Sequence, residues 1–218
     1  MCSSDLLLGA SSLGVYALVL GGWASGSKYS LIGALRAAAQ VVSYELILGL
    51  ALLAIVVTAG DTKLSTIVQK QQESVWFVLL QPVAFVLYLI AACAETNRAP
   101  FDLPEAETEL VAGYHTEYSG MRFAMYFIAE YVNMLVVSSL AATMFLGGWH
   151  GPFAGGPWWL VAKLMLFMFL FVWLRATLPR LRYDQLMRLS WNSLLPIGLI
   201  NLAITAVVVV ATRSTHAQ

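Results

Sequence analysis

The 218-residue sequence predicts an all-α protein: a polytopic transmembrane helix bundle of about six helices, with residues 1–218 forming a single transmembrane domain. Two observations predict it. First, 60% of the residues are hydrophobic and only 11% are charged, whereas soluble domains are about a quarter charged. Mean hydropathy is +0.76. Second, apolar residues gather into runs at 6–24, 31–59, 75–95, 121–147, 158–178 and 191–211. Most of these reach the ~20 residues that cross a hydrocarbon core about 30 Å thick. In lipid each run must be helical, because an open strand leaves backbone groups unpaired.

The first run follows Met1-Cys2-Ser3-Ser4-Asp5 with no Lys or Arg before it. A signal peptide would carry a base there, so the run reads as a retained helix. Its abrupt start reads as a chain cut short. The second run is longer than a span needs, so it tilts or protrudes. Pro82 follows Gln81 inside the third run and should kink it. Trp76, Trp149, Trp158, Trp159 and Trp191 stand at run edges, where an aromatic belt belongs.

Five loops join the runs. Loops one, three and five, with their helix ends, hold Lys28, Arg36, Arg98, Arg122, Arg175, Arg180, Arg182 and Arg188; the other loops and the C-terminus hold Lys63, Lys70 and Arg213. By the positive-inside rule the odd-numbered loops are cytoplasmic and both termini face outward.

Several functions are excluded at this stage. Net charge is zero and there is no basic stripe, so nothing points to nucleic acid. Cys2 and Cys93 lie far apart with no Cys-x-x-Cys, and His115, His150 and His216 are scattered. No metal, iron–sulfur or haem site is expected. There is no glycine-rich nucleotide loop and no catalytic triad, so no catalytic residue is assigned. Alone, the chain should transfer no electrons.

The charges left inside the runs are the informative ones. An ionisable group in a membrane costs about 2.5–3.5 kcal/mol even on a lenient scale. Lys163, Arg36 and Arg175 are within reach of an interface and admit a snorkelling or structural role as readily as a functional one. Glu45 and Glu130 are too short to snorkel. Each must face water, a base or another carboxylate, and all three surroundings suit a proton path.

The third loop, residues 95–120, is acidic: Glu95, Asp102, Glu105, Glu107, Glu109 and Glu117 are six of the twelve acids in the chain. Pro104 can open a short helix, with Glu105 and Glu107 in its first turn. Glu105 and Glu109 would share one face, and like charges there repel unless a base intervenes. Arg36, Arg98 and Arg122 lie on the same side. A solvated acidic loop is the simpler reading. Against it, Phe101, Leu103, Leu110, Val111, Tyr114 and Tyr118 interleave the acids, so the loop reads as packed against the bundle or a partner.

The run Glu95-Thr96-Asn97-Arg98-Ala99-Pro100-Phe101-Asp102-Leu103-Pro104-Glu105-Ala106-Glu107-Thr108-Glu109 resembles the third-loop signature of one family, the H subunits of the proton-pumping NADH:quinone oxidoreductase, respiratory complex I. The mitochondrial counterpart is NADH dehydrogenase subunit one. Gly22-Trp23-Ala24-Ser25, Lys28-Tyr29-Ser30-Leu31, Arg36-Ala37-Ala38-Ala39-Gln40, Ser43-Tyr44-Glu45, Glu117-Tyr118-Ser119-Gly120, Ala129-Glu130-Tyr131 and the segment from Arg175 to Asp184 match in family order. The resemblance implies a membrane subunit that forms the quinone chamber with the hydrophilic connecting arm and lies beside other membrane-arm subunits. It implies quinone as substrate and no cofactor bound by this chain, with NADH, FMN and iron–sulfur clusters in partner subunits. The location implied is the bacterial cell inner membrane, with the 95–120 loop facing the quinone chamber from the cytoplasmic side and the C-terminus periplasmic. Carried over residue by residue, the acidic path implied is Glu45, Glu95, Asp102, Glu105, Glu107, Glu109, Glu117 and Glu130, with Arg36, Arg98, Arg175 and Arg180 as basic partners.

The family has eight transmembrane helices, and this chain corresponds to the last six, so a partial gene product is expected. Other readings are a membrane subunit of an energy-converting hydrogenase, a standalone ion transporter using Glu45 and Glu130, and a passive anchor. A transporter would work in liposomes without partners; an anchor would tolerate neutral replacements of its acids.

Overall fold

The computed structural model describes residues 3–97, 101, 118–151, 155–179 and 181–216, with side chains described from residue 9 to residue 212. The described residues are helical and contain no β-strand. The helices are α1 (Ser3–Ala24), α2 (Lys28–Ala59), α3 (Leu64–Glu73), α4 (Phe77–Leu80), α5 (Pro82–Glu95), α6 (Met121–Phe145), α7 (Pro157–Thr177), α8 (Tyr183–Leu189) and α9 (Leu195–His216). A π-helical turn, Ser190–Leu194, joins α8 to α9.

Four stretches are long and apolar enough to cross a membrane: Lys28–Ala59, Met121–Phe145, Pro157–Thr177 and Tyr183–Thr212. Gly9–Ala24 and Pro82–Glu95 are shorter apolar helices. The chain is thus an all-α integral membrane helix bundle. Its outward surface is apolar: Trp23, Leu79, Met165, Phe169, Val207 and Val210 are all exposed.

Helix α2 is the hub, packing on α1, α5 and α9. At 32 residues it is about 48 Å long, more than a hydrocarbon core of about 30 Å requires of a helix that neither tilts nor protrudes. Its buried face carries Ala34, Ala37, Ala38, Val41, Tyr44, Leu48, Ala51 and Ile55, spaced by three or four residues. In lipid, burying apolar surface between helices gains little over burying it in acyl chains, so association depends on close packing and on polar bonds. The small residues of α2 provide the first. A Cβ placed on Gly22 of α1 would lie 2.2 Å from the Ala34 Cβ and 3.0 Å from the Ser30 carbonyl oxygen. Only glycine permits that approach.

The third run is broken rather than bent. Gln81, at φ −130° and ψ 59°, separates α4 from α5. Pro82 supplies no N–H and opens α5 at its first position. At the break the Gln81 side chain is satisfied across helices: its Nε2 donates to Thr205 Oγ1 at 3.0 Å, and Asn201 Nδ2 donates to its Oε1 at 3.4 Å.

Below the break, an aromatic core forms where Phe145 meets Phe85 at 5.2 Å and Tyr88 at 5.3 Å between ring centroids. The buried Tyr88 hydroxyl donates to the Val137 carbonyl at 2.8 Å, tying α5 to α6.

Lys163 has a structural role. It is 8% exposed, and its Nζ donates to the carbonyls of Leu146 at 2.5 Å, Gly148 at 2.9 Å and His150 at 2.5 Å. The ammonium also lies 5.4 Å from the centroid of the Trp76 ring. Gly147 and Gly148, at φ 73° and 54°, adopt the left-handed turn that presents these carbonyls. Helix α3 closes the same end of the bundle: Gln71 Nε2 donates to the Thr143 and Met144 carbonyls, and Lys70 donates to the Ala59 carbonyl.

Candidate functional site

Glu45 of α2 and Glu95 at the end of α5 lie near each other, and Glu95 and Glu130 of α6 line one cleft. Helix α5 terminates at Glu95, and Asn97 follows at φ 50°, a left-handed conformation that asparagine tolerates. Glu95 is 8% exposed, and the Asn133 side chain of α6 hydrogen-bonds its carboxylate. Glu45 of α2 is close enough for its charge to act on Glu95. Glu95 in turn acts on the buried Tyr88.

A cleft of about 620 Å³ opens beside them, lined by Glu95, Thr96, Asn97, Glu130 and Asn133 at its polar parts and by Gly14, Ala17, Leu18, Val41, Met125 and Val136 among its apolar walls. Its walls come from α1, α2, α6 and the end of α5. Glu130 and Asn133 are three residues apart on α6 and therefore share a face. Glu130 is half-buried. The cleft brings two carboxylates and two side-chain amides together in a largely apolar setting, which is the kind of arrangement in which a proton can be held and handed on.

Among the expected basic partners, Arg36 is half-buried and its guanidinium lies 5.1 Å from the Tyr183 ring centroid. Arg175, at the end of α7, is exposed and lines no part of the cleft. Arg98, Arg180, Asp102, Glu105, Glu107, Glu109 and Glu117 lie outside the described residues, as does the short helix expected after Pro104. Among the described residues no group of three His, Cys, Asp or Glu side chains gathers as a metal site.

Loops three and five meet on the same face of α2. Phe101 is 6% exposed, and its ring packs on Tyr44 at 5.6 Å between centroids. The Tyr44 hydroxyl donates to the Leu186 carbonyl at 3.1 Å, and Trp191 Nε1 donates to Ser43 Oγ at 3.2 Å. Sequence reasoning missed Asn97 and Asn133. The three-residue spacing from Glu130 was the available signal for Asn133; for Asn97 there was only its place in the third-loop run.

A bundle of apolar helices with carboxylates gathered at an internal cleft and its margin is an integral membrane protein that carries ionisable groups among its spans. The sequence model of the NADH dehydrogenase family matches residues 5–206, and the chain belongs to that family. It is 60% identical over 211 residues to the NADH-quinone oxidoreductase H subunit of Thermomicrobium roseum, covering 93% of this chain and 62% of the relative. It is 56% identical to one of the H subunits of Geobacter metallireducens, covering 91% of this chain and 60% of the relative. It is 55% identical to the H subunit of Protochlamydia amoebophila, covering 92% and 61%. The chain therefore spans about three fifths of the length of these curated relatives.

Proposed function

We propose that this chain acts as a membrane subunit of a proton-translocating NADH:quinone oxidoreductase, coupling quinone reduction to proton movement through its buried carboxylates. The observation that carries the reading is the gathering of Glu45, Glu95 and Glu130 with Asn97 and Asn133 at the cleft and its margin. A cluster of this kind is costly in a membrane, and its cost is offset when the groups carry protons. Family membership and the names of the relatives support the assembly.

In this reading the redox chemistry belongs to partner subunits. NADH, FMN and iron–sulfur clusters deliver electrons, quinone is the substrate, and this chain helps wall the quinone chamber on the side of the 95–120 loop. Reduction of the quinone takes up protons and changes the charge next to that loop. Asp102, Glu105, Glu107, Glu109 and Glu117 pass the change to Glu95, which shares it with Glu45 and Glu130. Arg36, Arg98, Arg175 and Arg180 balance the charge. The odd-numbered loops face the cytoplasm of a bacterial inner membrane, the C-terminus faces the periplasm, and neighbouring membrane-arm subunits continue the path.

The assembly is tested by a native gel of source membranes stained for NADH oxidation, with a denaturing second dimension probed for this chain. Co-migration with the large NADH-oxidising band is the expected result. Migration as a small assembly without that activity would sink the reading and favour an independent transporter.

A further inference from the structure

We propose that Gln40 is a positioning residue for the proton path: its amide grips the root of the third loop and holds Glu95 in register with Glu45 and Asn133. The inference rests on the proton-path reading above and deepens it.

Gln40 is fully buried, at 0% exposure. A neutral amide in such a place must find partners, and these partners have a direction. Its Nε2 donates to the Ala94 carbonyl at 2.9 Å, to the Phe101 carbonyl at 2.9 Å and to Asn97 Oδ1 at 3.3 Å. All three acceptors belong to the end of α5 and the start of the third loop. Ala94 is the residue before Glu95, so this bond fixes the backbone one residue from the carboxylate. Asn97 is the left-handed residue that turns the chain out of α5.

A second clamp stands one turn along α2. Tyr44, four residues after Gln40 and on the same face, packs on the Phe101 ring. The two side chains hold the loop by its backbone and by its aromatic anchor. No described residue donates to Gln40 Oε1. The grip is therefore one-way: α2 gives hydrogen bonds and the loop root accepts them. An apolar side chain of the same size would fill the space but leave the Ala94 carbonyl with only the Asn97 N–H at 3.3 Å and the Phe101 carbonyl without its Gln40 donor.

That polarity sets the test, made in the assembled complex in native membranes with Gln40→Leu and Gln40→Glu. The first readout is the labelling rate of Cys93 by a membrane-permeant maleimide, followed on its peptide by mass spectrometry. Cys93 is a buried free thiol in the last turn of α5. The second readout is protons translocated per NADH oxidised. Gln40→Leu should label Cys93 faster by about tenfold, the effect expected from taking the amide donor away from the buried Phe101 carbonyl, and should lower the proton yield at every pH. Gln40→Glu has a donor only when protonated. Its proton yield should recover toward wild type as the pH falls, whereas that of Gln40→Leu should not.

Unchanged Cys93 protection in Gln40→Leu overturns the grip. Exposed Cys93 with a full proton yield overturns its importance to the path, as does a Gln40→Glu yield that ignores pH. Failure of the underlying reading is visible separately, as normal translocation when Glu45, Glu95 and Glu130 are each replaced by Gln.

Discussion

Replacing Lys163 by Met keeps an unbranched apolar stem and deletes the ammonium, so it isolates the work of the charge. In the native protein that charge binds three carbonyls, those of Leu146, Gly148 and His150, and lies over the Trp76 ring. Hydrogen bonds between helices in membranes average about 0.6 kcal/mol and reach about 1.7. A cation over an aromatic ring adds about 0.5–1 kcal/mol. With the three bonds taken a little above that average, at about 0.8 kcal/mol each, and the ring contact added, the total loss is near 3 kcal/mol. That is roughly a hundredfold in the equilibrium between the docked and opened turn. The turn carries its own reporters, because the Gly148 amide bonds the Ala142 carbonyl at 2.9 Å and the His150 amide bonds the Gly147 carbonyl at 3.0 Å. Hydrogen exchange at these two amides, read by mass spectrometry, should accelerate by about that factor while proton translocation by assembled complex persists. Unchanged exchange together with lost translocation would refute the reasoning and put Lys163 on the proton path.

Two further substitutions test the packing. Gly22→Ala drives a methyl into the Ala34 Cβ and the Ser30 backbone, and neither can swing aside. The α1–α2 contact should loosen by about 1–3 kcal/mol, seen as less protein in membranes and a lower melting temperature in detergent. Tyr88→Phe removes only the bond to the Val137 carbonyl and should cost about 1 kcal/mol on the same melting assay; a loss several times larger would mean the hydroxyl also supports Glu95.

The spans were legible because a bilayer demands apolar helices of fixed length. Five runs match helices within a few residues, and the third was correctly marked at Gln81-Pro82, where the structure has a break instead of a kink. Glu45 and Glu130 stood out because an acid in an apolar run is expensive. What stayed hidden depends on partners distant in sequence. Helix α3 is mostly polar, and it is held by Gln71 reaching carbonyls about 70 residues away. Lys163 caps carbonyls, and carbonyls leave no mark in a sequence. The π turn at Ser190–Leu194 comes just before Pro196, whose ring would clash with the carbonyl four residues earlier in a regular helix. The meeting of Glu95 with Asn133 and Glu45 joins three helices and follows from no local pattern.

The central claim, that Glu45, Glu95 and Glu130 carry protons for the assembled enzyme, is tested most directly by NADH-driven acidification of inverted membrane vesicles carrying Glu45→Gln, Glu95→Gln or Glu130→Gln, with the amount of complex fixed by its NADH-oxidising band on a native gel. Assembly at wild-type level with translocation cut severalfold or more is the predicted result. Full translocation in all three variants would contradict it.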